Sequence, residues 1–231
     1  MNNVSHVKAA APFHFLNFLT RNSDTAGQEE LNRLACAVEQ SEIQVLENEA
    51  GDTRIFFRRL DWDSDYFGIN VYRVDFLQSA LDLAKAVNEY RQILSELIEK
   101  IRSLGPKFHV FAELPCEALG PIQGLTSTGW RMVETRLTYY NDRVRNYEFS
   151  NRFKVRRGLE SDIANIRSVA ANSRNVFDRF HADFYFSEEV ADQYLATFAE
   201  NSIRGFADIT LVPASDEKPP NAFLTASYIP D

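Results

Sequence analysis

Cysteine is scarce in this chain. Only Cys36 and Cys116 occur in 231 residues, so there is no disulfide framework and no CxxC pair. That scarcity fits a reducing, cytoplasmic setting. The four histidines are scattered, and no metal-ligand spacing emerges from them. No run approaches the roughly 20 apolar residues of a membrane span. The N-terminal "MNNVSHVKAAAPFHFLNFLTRN" opens polar and lacks a small-residue cleavage site, so no signal peptide is expected. Positive charge is outnumbered, with 25 Lys and Arg against 33 Asp and Glu and a net charge of -8. A broad nucleic-acid surface is thereby disfavoured, although a few local arginines suffice for one anionic small molecule. Glycine is sparse as well. None of the nine lies within three positions of another, so no paired-glycine turn of the kind that cradles a phosphate at a helix start exists. Repeats and low-complexity segments are also absent.

What is present is an ordinary globular balance, 45% apolar and 25% charged, with 18 Phe available for a core. Leu31, Leu34, Ala35 and Val38 recur at helical spacing. "IQVLENEAGDTRIFFRRL" reads as two strands about Gly51-Asp52, and "INVYRVDFL" as a third. Leu83, Val87, Tyr90, Leu94, Leu97, Ile101 and Leu104 step by three and four, giving a long amphipathic helix that Gly105-Pro106 ends. That stripe is a core face, with a homodimer seam as the alternative. "KFHVFAEL" is a strand with Phe108, Val110, Ala112 and Leu114 on one side. "CEALGPIQGLTSTG" is a short, broken helix or turn, and "WRMVETRLTYY" another strand.

Residues 141–152 are polar and aperiodic, a linker. Beyond them come a strand ("FKVRRG"), a helix with Ile163, Ile166, Val169 and Ala170 inward, and an aromatic loop ("DRFHADFYF"). A second helix follows, capped by Ser187, with Val190, Tyr194, Leu195 and Phe198 inward. "ADITLVPA" and "NAFLTASYI" are the closing strands. The fold class is α/β (α+β).

Two stretches concentrate chemistry. "LDWDSDYFGINVYRV" packs aromatics and carboxylates into an expected irregular turn. Trp62 and Phe67 are expected to be mostly buried, and Asp63, Ser64 and Tyr66 to rim a cleft. Asp63 is expected to cap the turn, and Gly68 to take a left-handed angle. The second stretch carries Arg179, Phe180, His181 and Asp183 within five residues. Arg156 and Arg157 alternate across a strand and are read as solvated charge. The same alternation applies to Tyr139 and Tyr140, one of which is expected in the core.

These stretches, with "GWRMVETRLTYY", "VRRGLESDIANIRSVA" and "DRFHADFYFSEEVADQYLATFAENS", resemble the GNAT-superfamily sugar-nucleotide N-acetyltransferases of the dTDP-fucosamine acetyltransferase type over residues 54–229. The resemblance implies an N-terminal extension (1–50), an acceptor-side mixed domain (51–145) and the first half of a GNAT acyltransferase fold (152–231). It implies acetyl-CoA as co-substrate and a nucleotide-linked amino sugar as acceptor. Arg179 would then meet phosphate and Phe180 a ring. His181 or Asp183 would hydrogen-bond the sugar or accept a proton through water. Asp63, Ser64, Tyr66 and Phe67 would line the acceptor cleft. The competing reading of the second stretch is a loop held by an Arg–Asp contact, with Phe180 plugging the core.

The sequence departs from the family in two respects. It has no R/Q-x-x-G-x-G/A turn for the CoA pyrophosphate, and no residue matches the family's later general-acid tyrosine. The acetyl-CoA half is expected to be missing, by truncation or because a partner chain supplies it, and this chain alone is expected to be inactive. Two other classes compete: a non-catalytic module that binds a sugar nucleotide or a protein, and an acetyltransferase for a protein or small-molecule amine.

Overall fold

A computed structural model describes residues 32–137, 139, 141, 143, 148, 153–173, 175–215 and 218–228. The expected N-terminal extension up to residue 31, including Leu31, lies outside them, as do Tyr140 and most of the expected linker. The chain divides into two compact units, Met1–Met132 and Val133–Asp231. Both mix helix and strand, in keeping with the α+β class. Among the described residues, no helix is long and apolar enough to cross a membrane.

Unit 1 begins with helix α1 (residues 32–39). It continues through β1 (Gln44–Glu47), β2 (Thr53–Arg59), α2 (Asp61–Phe67), β3 (Asn70–Ser79), α3 (Leu83–Leu104), β4 (Phe108–Ala112) and α4 (Leu119–Ser127). The sheet runs β1-β2-β3-β4. Its first three strands form an antiparallel meander, while β4 lies parallel to β3 and is reached through α3. Alternation along the strands separates two cores. Ile55, Phe57, Tyr72 and Val74 face α3, against Tyr90, Ile93, Leu94, Leu97 and Ile101. Phe56 and Phe76 face α1, against Leu34 and Ala37. Ala35 is exposed instead of buried, because Ala37 takes the inward position.

The α3 stripe is as expected at its centre, but Leu83 and Leu104 are exposed where the helix overruns the sheet. Asp82 caps α3 by accepting from the Lys85 N–H at 3.1 Å. Phe108, Val110, Ala112 and Leu114 all pack on the α3 core. α4 packs so closely on α3 that a Cβ on Gly124 would sit 2.4 Å from the Tyr90 Cβ. Gly124→Ala is therefore expected to cost about 1–3 kcal/mol by overpacking, read as a lower urea midpoint. An unchanged midpoint would show that the helices yield freely.

Residues 130–137 are not a strand. They have no regular structure, and Met132 and Leu137 are exposed. The polar–apolar alternation there is real, but among the described residues no neighbouring strand pairs with it.

Unit 2 runs β5 (Val155–Arg157), a 3-10 turn (Glu160–Asp162), α5 (Ile163–Asn172), α6 (Glu188–Asn201), a π turn (Ser202–Phe206), β6 (Ile209–Pro213) and β7 (Leu224–Ala226). The three strands are antiparallel in the order β5-β6-β7. Ser187 caps α6 as expected, accepting the Val190 N–H at 3.3 Å. The buried face of α6 is only partly the one expected: Leu195 packs on the core and Tyr194 on Phe180, but the fully buried positions are Ala191, Ala196 and Ala199, and Val190 and Phe198 are more than a third exposed. Ile166, Ala170, Ala199 and Val212 make the core. Small residues let α5 and α6 approach each other, so alanine takes the inward positions expected of larger side chains.

Candidate functional site

The site residues expected from sequence fall into two groups, one in each unit. In unit 1 the expected irregular turn is a seven-residue helix, α2. Asp61 and Asp63 occupy its first turn, where carboxylates suit the positive end of the helix dipole. Asp63 is thus inside the helix and not its cap, which is Leu60. Gly68 ends α2 at φ 65°, the left-handed angle expected of it, and donates its N–H to the Ser64 carbonyl.

Ser64 does not rim a cleft. It is buried; its Oγ donates to the Leu60 carbonyl at 2.6 Å and accepts the Val71 N–H at 3.0 Å, stitching α2 to β3. Trp62, expected inside, is 46% exposed and stacks on Tyr66 at 5.5 Å and 18°. Phe67 is partly buried and meets Tyr66 edge-on at 4.9 Å. Asp63 and Tyr66 are partly buried. The helical period exchanged the roles of Trp62 and Ser64.

In unit 2 the loop between α5 and α6 is built around Asp178. Its Oδ1 accepts the N–H groups of Phe180 (2.9 Å) and His181 (3.1 Å). Its Oδ2 lies 2.6 Å from His181 Nδ1, and on the other side of the ring His181 Nε2 lies 2.9 Å from Asp192 Oδ1 of α6. The imidazole is 2% exposed. Burial pushes its pKa down, but the hydrogen bonds to Asp192 and then Asp178 outweigh that and raise it. With a carboxylate at each nitrogen, the ring donates twice only as an imidazolium. His181 is therefore a tether between loop and helix. Its ring is not offered to solvent as a proton acceptor.

Phe180 is buried too, with Tyr194 at 4.1 Å and Phe186 at 5.6 Å between centroids, so it plugs the unit's interior. The Arg179 guanidinium lies 4.5 Å from the Phe180 ring centroid. Asp183 is partly buried, and its Oδ1 accepts the Tyr185 N–H at 3.0 Å. The rings on the surface are Phe177, Phe184 (88% exposed) and Tyr185. Sequence reasoning chose Phe180 over these three. It also missed Asp178 and Asp192, although a carboxylate three residues before a histidine in a polar loop was a usable sign.

Arg156 is no free surface charge. Its Nη1 donates to Asp162 Oδ2 at 2.6 Å and its Nη2 to Oδ1 at 2.9 Å. The Leu159 N–H adds a bond to Oδ2 at 2.8 Å. The Arg156 fork, more than the burial that opposes it, holds the Asp162 carboxyl below the usual range. Tyr139 is exposed.

Among the described residues, no group of three or more His, Cys, Asp and Glu is placed to hold a metal ion. No protein-family model matches the chain, and no curated protein matches it.

Proposed function

We propose that this chain serves the N-acetylation of a nucleotide-linked amino sugar, as a GNAT-type N-acetyltransferase or as the acceptor-binding part of one, with acetyl-CoA as the donor. The observation that carries this reading is the architecture of unit 2. One strand, two helices and two antiparallel strands follow in the order of the opening half of that fold, and the Asp178–Phe186 loop lies between the helices.

On this reading the Asp178–His181–Asp192 clamp fixes the loop, and the loop meets the acceptor. The exposed rings of Phe184 and Tyr185 offer surfaces for a pyranose or a thymine. Arg179 supplies positive charge for a pyrophosphate. Asp183, whose Oδ1 already holds the Tyr185 N–H, brings a carboxylate to the same loop for the sugar hydroxyls. A cytoplasmic site of action suits both acetyl-CoA and two free, exposed cysteines. The competing reading is a module that binds the sugar nucleotide without catalysis, for which the exposed loop rings and Arg179 suffice.

The test is incubation of the protein with acetyl-CoA and dTDP-4-amino-4,6-dideoxygalactose, followed by mass spectrometry of the acceptor and thiol titration of released CoA. Acetylated acceptor supports the enzyme. Binding of the acceptor without transfer points to the binding module, and neither binding nor transfer contradicts both.

A further inference from the structure

We propose that unit 1 carries a separate anion-binding site, formed by Arg58 on β2 and Arg73 on β3, that takes a phosphate or diphosphate group of a small molecule. It stands apart from the acetyl-transfer reading and rests on a different unit.

The two arginines are direct cross-strand partners. Like charges opposite each other destabilise an antiparallel pair, so their pairing calls for a reason. The register supplies part of it. Phe56 pairs with Phe76 and Phe57 with Val74, which leaves Asp75 as the extra residue of a β-bulge. Bulges re-aim a side chain, and this one turns a carboxylate onto the arginines.

Asp75 Oδ1 accepts from Arg73 Nε at 2.8 Å, from Arg73 Nη2, and from Arg58 Nη2 at 3.2 Å. The Asp75 side chain is fully buried, while those of Arg58 and Arg73 keep 29% and 25% of their surface. One carboxylate thus lies beneath two guanidinium groups and fixes both. One positive charge remains uncompensated among the described residues.

The hydrogen-bond inventory is incomplete in the same place. Asp75 Oδ2 and Arg58 Nε are buried without a partner. As a purely structural ion pair the cluster is poor: it desolvates three charges, opposes two of them and leaves a donor unmade. As a receptor it makes sense. A buried acid preorganises two forks, and an anion settling on them supplies both the missing charge and an acceptor within reach of a rotated Arg58. Phosphate suits paired arginines through bidentate contacts.

The surroundings fit a small ligand. Phe111 on β4 is the register partner of Arg73, and His109 is that of Val71. Their rings lie 6.3 Å apart on that same face, beside the arginines. Along β2, Arg58 shares its face with Phe56, which α1 covers. Along β3, Val71 is tied to Ser64 of α2. Arg73 therefore lies between the stretch under α1 and the stretch held by α2.

The experiment is isothermal titration of the whole protein with inorganic pyrophosphate and with thymidine diphosphate, at low and high salt. Wild type is expected to bind both, more weakly as salt rises. Arg73→Gln should weaken the binding that maps to unit 1 at least tenfold, and the Arg58→Gln/Arg73→Gln pair should abolish it. Arg102→Gln, which removes an exposed arginine paired with Glu99 on α3, should change nothing. Thymidine diphosphate binding tighter than pyrophosphate supports a ligand whose ring also touches the protein, and equal binding supports recognition of phosphate alone. Because the double variant removes charges around a buried acid, amide chemical-shift mapping on wild type provides a second readout. Shifts at residues 56–59 and 71–76 that the double variant loses support the site. No pyrophosphate binding, no shifts at residues 56–59 and 71–76, or survival of those shifts in a folded double variant would overturn it.

Discussion

His181→Ala is expected to lower the stability of unit 2 by about 2–3 kcal/mol, less than a fully buried pair would lose because Asp178 and Asp192 keep some contact with water. The loss comes from two carboxylates left without the imidazolium between them. The pH dependence separates this account from simple packing. His181 has a raised folded pKa, so its contribution is complete below the ordinary histidine value of about 6.5 and is lost as pH rises through the higher folded value. Asp162 has a lowered folded pKa, so its contribution is present above the ordinary value of about 3.9 and is lost as pH falls through the lower folded value. The melting temperature of unit 2 should therefore fall at both ends of the pH range. His181→Ala should remove the alkaline fall and leave the acid one. Asp192→Asn keeps an acceptor for the ring but loses a charge, so it should shift the alkaline fall to lower pH. A wild-type profile flat above neutrality, or an alkaline fall that survives His181→Ala, would refute the clamp.

Phe57→Ala should cost about 3–5 kcal/mol in unit 1. Phe57 is fully buried at the centre of the α3 core, its ring 6.4 Å from that of Tyr72 and 5.4 Å from Lys100 Nζ. Lys100 has an aliphatic stem to lay along that ring, so truncation removes packing on both sides. Urea unfolding should show a lower midpoint at an unchanged slope. A loss under about 1 kcal/mol would mean that the core does not depend on this ring.

Locally encoded features were legible in the sequence. The Gly51-Asp52 turn between β1 and β2, the centre of the α3 stripe, the Ser187 cap and the β6–β7 pair each depend on residues close in sequence. The misreadings have separate causes. In α2 the density of aromatics suggested a turn, but two acids in its first turn were already a helix signal. In α6 the larger side chains Tyr194 and Leu195 do pack inward, but a close helix pair also buries alanine and leaves Val190 and Phe198 partly outside. Asp75 was overlooked because a bulge breaks the period of two on which strand reading relies. Within the candidate loop the cluster Arg179, Phe180, His181 and Asp183 stands out in the sequence, but the Asp192 contact does not, because it joins residues 11 apart through tertiary packing. The exposure of Phe184 and burial of Phe180 were equally invisible, since a run of aromatics does not say which ring turns inward.

Saturation-transfer NMR with dTDP-4-amino-4,6-dideoxygalactose tests the proposed acceptor role most directly. The account predicts saturation at the pyranose and thymine protons, and its loss when Phe184 and Tyr185 are both replaced by alanine. No saturation with the folded wild-type protein, or saturation unaffected by that double replacement, would contradict it.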